Sequence, residues 1–397
     1  MSLYDFDKTP DRRGSGSYKW DSTSDGVIPL WVADMDFPTA PAVIDALRRR
    51  VEHGVFGYTK VGADYYNACI DWFSSRHGWT FDAGWVVYTS GVVPAVSAII
   101  KAMTVPGDKV ILQTPAFNCF YSSIRNNGCE LAANMLLRDA DGHYSIDFDN
   151  LEMLATDPRA KVLVLCNPHN PSGRVWSRDE LERVGRICLE HDVFVISDEI
   201  HCELTYGDTV YTPYGSLGDE FLRRAAICVS PSKAFNIAGL QIANIVAADS
   251  TVRARIDRAI NDNEVCDVNP FGVVATIAAY NLGKEWLDAL RQYIWNNYRC
   301  ACQYIETHLP FCRITPLEGT YLLWLDVSAC SVPVGDLCSM LEREFKVRLS
   351  PGTDYGPGGE GFVRINLACP RARLLEGLSR FADGLKNVLH HSDKNVM

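Results

Sequence analysis

The sequence predicts an α/β protein built on a mostly parallel sheet, followed by a smaller α+β domain. Three observations carry this expectation. Short β-branched runs recur through the middle of the chain, helical patterns separate them, and the pattern changes past Asn281.

Taken in order, the first forty-odd residues are rich in Pro, Gly and aromatics and read as an arm over 1–45. A large domain is expected over 46–283. Within it Val86–Tyr88, Lys109–Gln113, Lys161–Cys166, Val193–Ser197, Ala226–Ser230 and Ala243–Ala247 read as buried strands. Ser177 to Glu190 reads as a helix opened by a capping box of Ser177 and Glu180. Strands alternating with helices imply a sheet covered on both faces. A smaller domain is expected over 284–397. It would hold a long helix from Lys284 to His308, strands at Thr320–Val327 and Phe362–Asn366, a helix near Val334–Glu344 and a C-terminal helix.

The 397 residues suffice for this two-part plan. Lys plus Arg number 38 against 49 Asp plus Glu, a net charge of −11, which argues against a nucleic-acid partner. No apolar stretch is long enough to span a bilayer; the richest, Ile237 to Ala248, is interrupted by Gln241 and Asn244. Met1-Ser2-Leu3-Tyr4-Asp5 lacks the character of a signal peptide. The 14 cysteines are scattered without metal-ligand spacing, so reduced thiols, a cytoplasmic setting and no metal are expected.

Chemistry-bearing residues gather just after the strand runs, where loops form the ligand edge of an open α/β sheet. Ser230-Pro231-Ser232-Lys233 sets a lysine among hydroxyls. A Schiff-base lysine needs a place where its amine is neutral, with hydroxyls nearby for a phosphate. Taken alone, a surface lysine in a Ser-Pro turn explains the motif as well. Asp198, in Val195-Ile196-Ser197-Asp198-Glu199-Ile200-His201, ends a buried run, where an acid is costly unless paired. A cationic ring nitrogen would pair it; so would the amides of a following helix. Cys166-Asn167-Pro168-His169-Asn170-Pro171-Ser172-Gly173 is a rigid turn that aims Asn170, or simply an Asx-type turn. Thr89-Ser90-Gly91-Val92-Val93-Pro94 opens a helix whose first amides suit a phosphate, although a plain tight turn accounts for it equally.

In this order and spacing, the four segments resemble the fold-type I pyridoxal-phosphate enzymes, the aspartate aminotransferase superfamily. The resemblance covers essentially the whole chain. It includes Phe362-Val363-Arg364-Ile365-Asn366, similar to the segment whose arginine grips the substrate carboxylate. It implies the fold-type I architecture, with a mostly parallel seven-stranded sheet in the large domain, and pyridoxal 5′-phosphate as cofactor. Lys233 would hold the cofactor and serve as general base. Asp198 would meet the ring nitrogen, Asn170 and His201 the phenolic oxygen, and Phe117 the ring face. Gly91, Val92, Val93, Ser230 and Ser232 would surround the phosphate. Arg364, Trp31 and Asn118 would contact the substrate.

Several segments are similar to the MalY/PatB group of cystathionine β-lyases. They are Leu30-Trp31-Val32-Ala33-Asp34-Met35-Asp36-Phe37, Gly57-Tyr58-Thr59, Ser197-Asp198-Glu199-Ile200-His201, Lys233-Ala234-Phe235-Asn236-Ile237-Ala238-Gly239-Leu240 and Gly319-Thr320-Tyr321. His201 stands where many aminotransferases have Tyr, and Gln241 where many have a phosphate-binding arginine. Phe117 stands where relatives in the group carry Tyr. The resemblance implies α,β-elimination of cystathionine or a related cysteine S-conjugate; the sequence does not name the donor that protonates the leaving group, and Tyr58, Tyr121 and Lys233 are the candidates. It also implies a homodimer in which Tyr58 reaches the neighbouring site and adds to its phosphate contacts. An aminotransferase of the same fold is the alternative, and a regulatory protein-contact role is a more distant one.

Overall fold

The computed structural model describes residues 4–262, 264 and 267–394, so Met1–Leu3 and Cys266 lie outside the described residues. Seven strands form the main sheet: β1 (Val86–Thr89), β2 (Lys109–Thr114), β3 (Glu130–Met135), β4 (Ala160–Cys166), β5 (Phe194–Asp198), β6 (Ala225–Val229) and β7 (Ala243–Val246). Their order is β1-β7-β6-β5-β4-β2-β3, and only β7 runs antiparallel to its neighbours. This is the mostly parallel seven-stranded sheet that the resemblance implied.

Strand periodicity divides the core. Val162, Val164 and Ile196 pack with helices Val92–Met103 and Ser250–Asn261 on one face. Leu163, Leu165 and Val195 pack with helices Ala63–His77, Arg178–Glu190 and Pro270–Leu282 on the other. Central strands buried on both faces read as continuous apolar runs, which is why they are visible in the sequence. β3 escaped notice because it is an edge strand: only Ala132 and Asn134 of its six residues are buried.

Ser177 Oγ accepts from the Glu180 amide at 3.2 Å, and the Glu180 carboxylate accepts from the Ser177 amide at 2.8 Å, completing the capping box. Ser177→Ala should therefore cost about 1 kcal/mol. Denaturant unfolding should register this, with turnover unchanged because Ser177 is not among the residues that line the strand-end cavity.

A second sheet holds β8 (Leu322–Asp326) paired antiparallel with β9 (Phe362–Asn366), flanked by Arg313–Ile314 and Ser350–Pro351. Helices Lys284–His308, Val334–Phe345 and Arg371–Lys394 accompany it. The N-terminal stretch is part of the packing: Ile28–Pro29 pairs with Val347–Arg348, and Phe6, Leu30, Met35 and Phe37 are buried in the core. Helix Pro41–His53 begins within the stretch expected as an arm. No helix among the described residues is long and apolar enough to cross a membrane.

Candidate active site

Parallel strands deliver their C-terminal ends to one edge. A cavity of about 230 Å³ opens there, lined by Gly91, Val92, Val93, Phe117, Asn170, Asp198, His201, Ser232 and Lys233, with Ala33 from the N-terminal segment. Five separate loops thus converge. β5 ends on Asp198, β4 leads into Asn170, β6 into Ser232 and Lys233, β2 into Phe117, and β1 into Gly91.

The Lys233 amine donates to the Ala33 carbonyl at 2.7 Å. Burial lowers its pKa to about 8, helped by the nearby Arg364 cation and opposed by Asp34 and Asp198. Asp198 is only 4% exposed. Its Oδ1 accepts from the Ile200 amide at 3.0 Å, and no ion pair involves it among the described residues. Burial pushes it up to about 7, against the pull of that amide and of Lys233. His201 is buried with Nδ1 unpartnered, and desolvation, then the charges of Lys233 and Arg364, holds it neutral.

Arg364, on β9, crosses from the second sheet. Its Nη1 donates to Asn170 Oδ1 at 3.1 Å, its Nη2 to the Trp31 carbonyl at 2.8 Å, and its buried Nε has no partner. A guanidinium can only donate, so the Asn170 oxygen faces it and the Asn170 Nδ2 remains as a donor. The Gly91, Val92 and Val93 amides lie at the start of helix Val92–Met103, where main-chain donors lack intrahelical acceptors.

Other sequence-expected residues are not brought into the cavity. The Tyr121 hydroxyl donates to the Tyr355 carbonyl at 2.7 Å, which occupies the proton it would offer. Ser230 Oγ donates to the Ile242 carbonyl at 2.6 Å and accepts from the Ser232 amide, so it shapes the turn instead of facing the cavity. Asn118 is exposed at the first turn of helix Asn118–Asn126. Trp31 contributes its carbonyl to Arg364, while its indole donates to the Lys19 carbonyl at 3.2 Å. Tyr58 is 98% exposed. Gln241 is exposed and does not line the cavity.

Two contributors were not anticipated. The Ala33 carbonyl holds Lys233, and the Tyr321 hydroxyl donates to the same oxygen at 2.8 Å. A main-chain carbonyl leaves no mark in sequence. Tyr321 lay inside the Gly-Thr-Tyr segment already singled out, but its spacing from Lys233 shows no contact. The preceding Thr320 sits at φ 70°, a strained region for a β-branched residue, and its amide donates to the Leu204 carbonyl at 2.7 Å.

The comparisons with known proteins agree with this geometry. A match to the aminotransferase class I and II family runs over residues 25–381. The chain is similar to cystathionine beta-lyase PatB of Bacillus subtilis (strain 168), 43% identical over 385 residues that span 96% of this chain and 99% of the relative. A PLP-bound putative aminotransferase from Clostridium difficile 630 has a TM-score of 0.94 at 39% identity, covering 96% of this chain and 100% of that one. Cystalysin from Treponema denticola, which contains a pyridoxal 5′-phosphate cofactor, has a TM-score of 0.94 at 34% identity, over 97% of this chain and 100% of its own. Taken with the strand-end cavity around Lys233, these matches mean that the chain belongs to the aminotransferase class I and II family.

Proposed function

We propose that the protein is a pyridoxal-phosphate-dependent carbon–sulfur β-lyase that splits cystathionine or a related cysteine S-conjugate into pyruvate, ammonia and a thiol. The observation that carries this reading is the meeting of Lys233, Asp198, Asn170 and His201 with a helix start around one cavity, with Arg364 bonded to Asn170. These residues fit the cofactor. Asp198 is a buried carboxylate with no bonded cation among the described residues, and His201 Nδ1 is buried and unpaired. Asp198 would hold the ring nitrogen, Asn170 Nδ2 the phenolic oxygen, and Ser232 with the Gly91, Val92 and Val93 amides the phosphate.

When bound, the cofactor supplies an electron sink for the charge left on the substrate Cα. The chain supplies the rest. Arg364 orients the substrate carboxylate through its guanidinium donors. With a pKa of about 8, the Lys233 amine is neutral in a useful fraction near pH 7 and takes the Cα proton. His201, held neutral, adds no further cation beside Lys233. With the Tyr121 hydroxyl engaged elsewhere, protonation of the leaving thiolate falls to Lys233 or to Tyr58 of a second copy.

Val51, Val55, Phe56 and Tyr58 form an exposed apolar stretch of the kind a partner surface covers. A homodimer in which Tyr58 serves the neighbouring site accounts for it. All described cysteines are free, in keeping with a reducing cytoplasmic setting.

Removal of Arg364 should act on binding. Taking one partner from a buried charged contact costs about 2–5 kcal/mol. Arg364→Ala should therefore raise KM on the order of a hundredfold, and Arg364→Lys should not restore it because an ammonium lacks the planar fork. Steady-state kinetics over a substrate series tests this.

The 43% identity to a cystathionine beta-lyase favours elimination. The likeness to a putative aminotransferase keeps transamination as the second reading. Pyruvate release from L-cystathionine with no 2-oxo acid present tests the lyase reading; activity only with a 2-oxo acid acceptor would select the other.

A further inference from the structure

Residues 31–37 form a strap that touches the cavity at Ala33 and whose carbonyls are almost all held by side chains. The Trp31 carbonyl takes Arg364 at 2.8 Å, and the Ala33 carbonyl takes Lys233 at 2.7 Å. The intervening Val32 and Asp34 carbonyls both take Asn366 Nδ2, at 2.6 and 2.7 Å. Further on, Asn236 Nδ2 donates to the Met35 and Phe37 carbonyls at 3.0 and 2.8 Å, while its Oδ1 accepts from the Met35 amide at 3.0 Å. Alternate carbonyls thus address the site and the asparagine behind it.

The two asparagines come from different places. Asn236 follows Lys233 by three residues at φ 53°, and Asn366 follows Arg364 by two on β9. Both segments that carry reactive groups are therefore bolted to one stretch of main chain. Behind it, a buried charge cluster anchors the strap: Asp36 pairs with Lys19 at 3.1 Å, Arg12 at 3.0 Å and Arg373 at 2.8 Å.

We propose that Asn236 and Asn366 are positioning residues. By fixing the strap they set the spacing between the Lys233 amine, held on Ala33, and the Arg364 guanidinium, held on Trp31, and so place the substrate Cα against its base. The inference rests on the cofactor and substrate reading above. Neither asparagine needs to touch substrate or cofactor, because each acts through a strap carbonyl. Near-attack geometry tolerates little misplacement, so loosening the strap should slow chemistry out of proportion to the stability lost.

The test compares Asn236→Ala, Asn366→Ala and their double variant with Asn134→Ala. Asn134 is also buried and also donates to a main-chain carbonyl, that of Asp147, but it sits on the edge strand β3 away from the cavity. For each purified protein, Tm, the rate at which apoprotein recovers its bound pyridoxal 5′-phosphate absorbance, and KM and kcat with L-cystathionine are measured. All single variants should lose Tm to a similar degree. Asn236→Ala and Asn366→Ala alone should lower kcat about tenfold and slow cofactor capture, whereas Asn134→Ala should leave both near wild type. The double variant should be little worse than either single, since both loosen the same strap. A kcat within twofold of wild type in both single variants, or fully multiplicative losses in the double variant, would overturn the proposal. Failure of the wild type to take up cofactor at all would instead overturn the reading on which it rests.

Discussion

Lys233→Ala should leave a folded protein that no longer takes up pyridoxal 5′-phosphate covalently and turns over at least about a thousandfold more slowly. Among the described residues, Lys233 is the only lysine lining the cavity. No other described side chain there combines a nucleophilic amine with a proton-accepting role, and general-base removal alone is worth roughly 10²–10⁴. The pH profile adds a sharper signature. Because burial lowers the amine to about 8, the neutral fraction rises through pH 8, and the wild-type rate should climb across that range and level above it. Any residual activity of the variant should lack that limb. Stability rises with pH as well, over a higher window. A lysine with a folded pKa below its unfolded one penalises the fold most at pH below 8 and ceases to do so as pH rises past the unfolded value. Apoprotein of Lys233→Ala should thus be no less stable than wild type at pH 7. Absorbance scans, rate–pH profiles and thermal melts check the three parts.

Asp198→Asn should separate function from stability. The variant keeps an oxygen for the Ile200 amide but presents no charge to a ring nitrogen. Turnover should fall on the order of 10²–10³, as when a preorganised electrostatic contact is lost. The apoprotein should gain stability at pH 8. With its folded pKa raised to about 7, wild-type Asp198 binds more protons folded than unfolded between the unfolded pKa and pH 7. Its contribution to stability therefore falls with pH through that window, and the full cost of the buried charge is present above it. Melting curves of the two apoproteins should diverge at pH 8 and converge toward pH 4. Equal Tm at pH 8 would mean the carboxylate is solvated or paired in a way the cavity does not provide.

Glu199 provides the contrast that explains why Asp198 is the functional acid. Both are buried and both are raised to about 7. Glu199, however, is held by Ser197 Oγ and the Tyr214 amide, each at 2.8 Å, and by the Tyr211 hydroxyl. Its lone pairs are met within the fold, whereas Asp198 faces the cavity.

Most of the large sheet could be read from sequence because its central strands are buried on both faces and leave unbroken apolar runs. Ala160–Cys166 and Phe194–Asp198 match the expected segments to within a residue. Glu130–Met135 was hidden by its half-exposed pattern. The site divides the same way. Lys233, Asp198, Asn170 and His201 were legible because they occupy strand ends, where chain order alone brings loops together. Tyr121 and Ser230 were assigned by segment likeness, but their hydroxyls are taken up by nearby carbonyls, which sequence spacing does not reveal. The strap is the opposite case. Its contribution is main-chain carbonyl geometry, fixed by asparagines some 200 and 330 positions away, and no local pattern encodes it.

The most direct measurement is borohydride reduction of the cofactor-loaded protein, followed by mass mapping of its peptides. The account requires one reduced pyridoxyl adduct, on the peptide that contains Lys233. An adduct confined to a different lysine, or none after full loading, would contradict it.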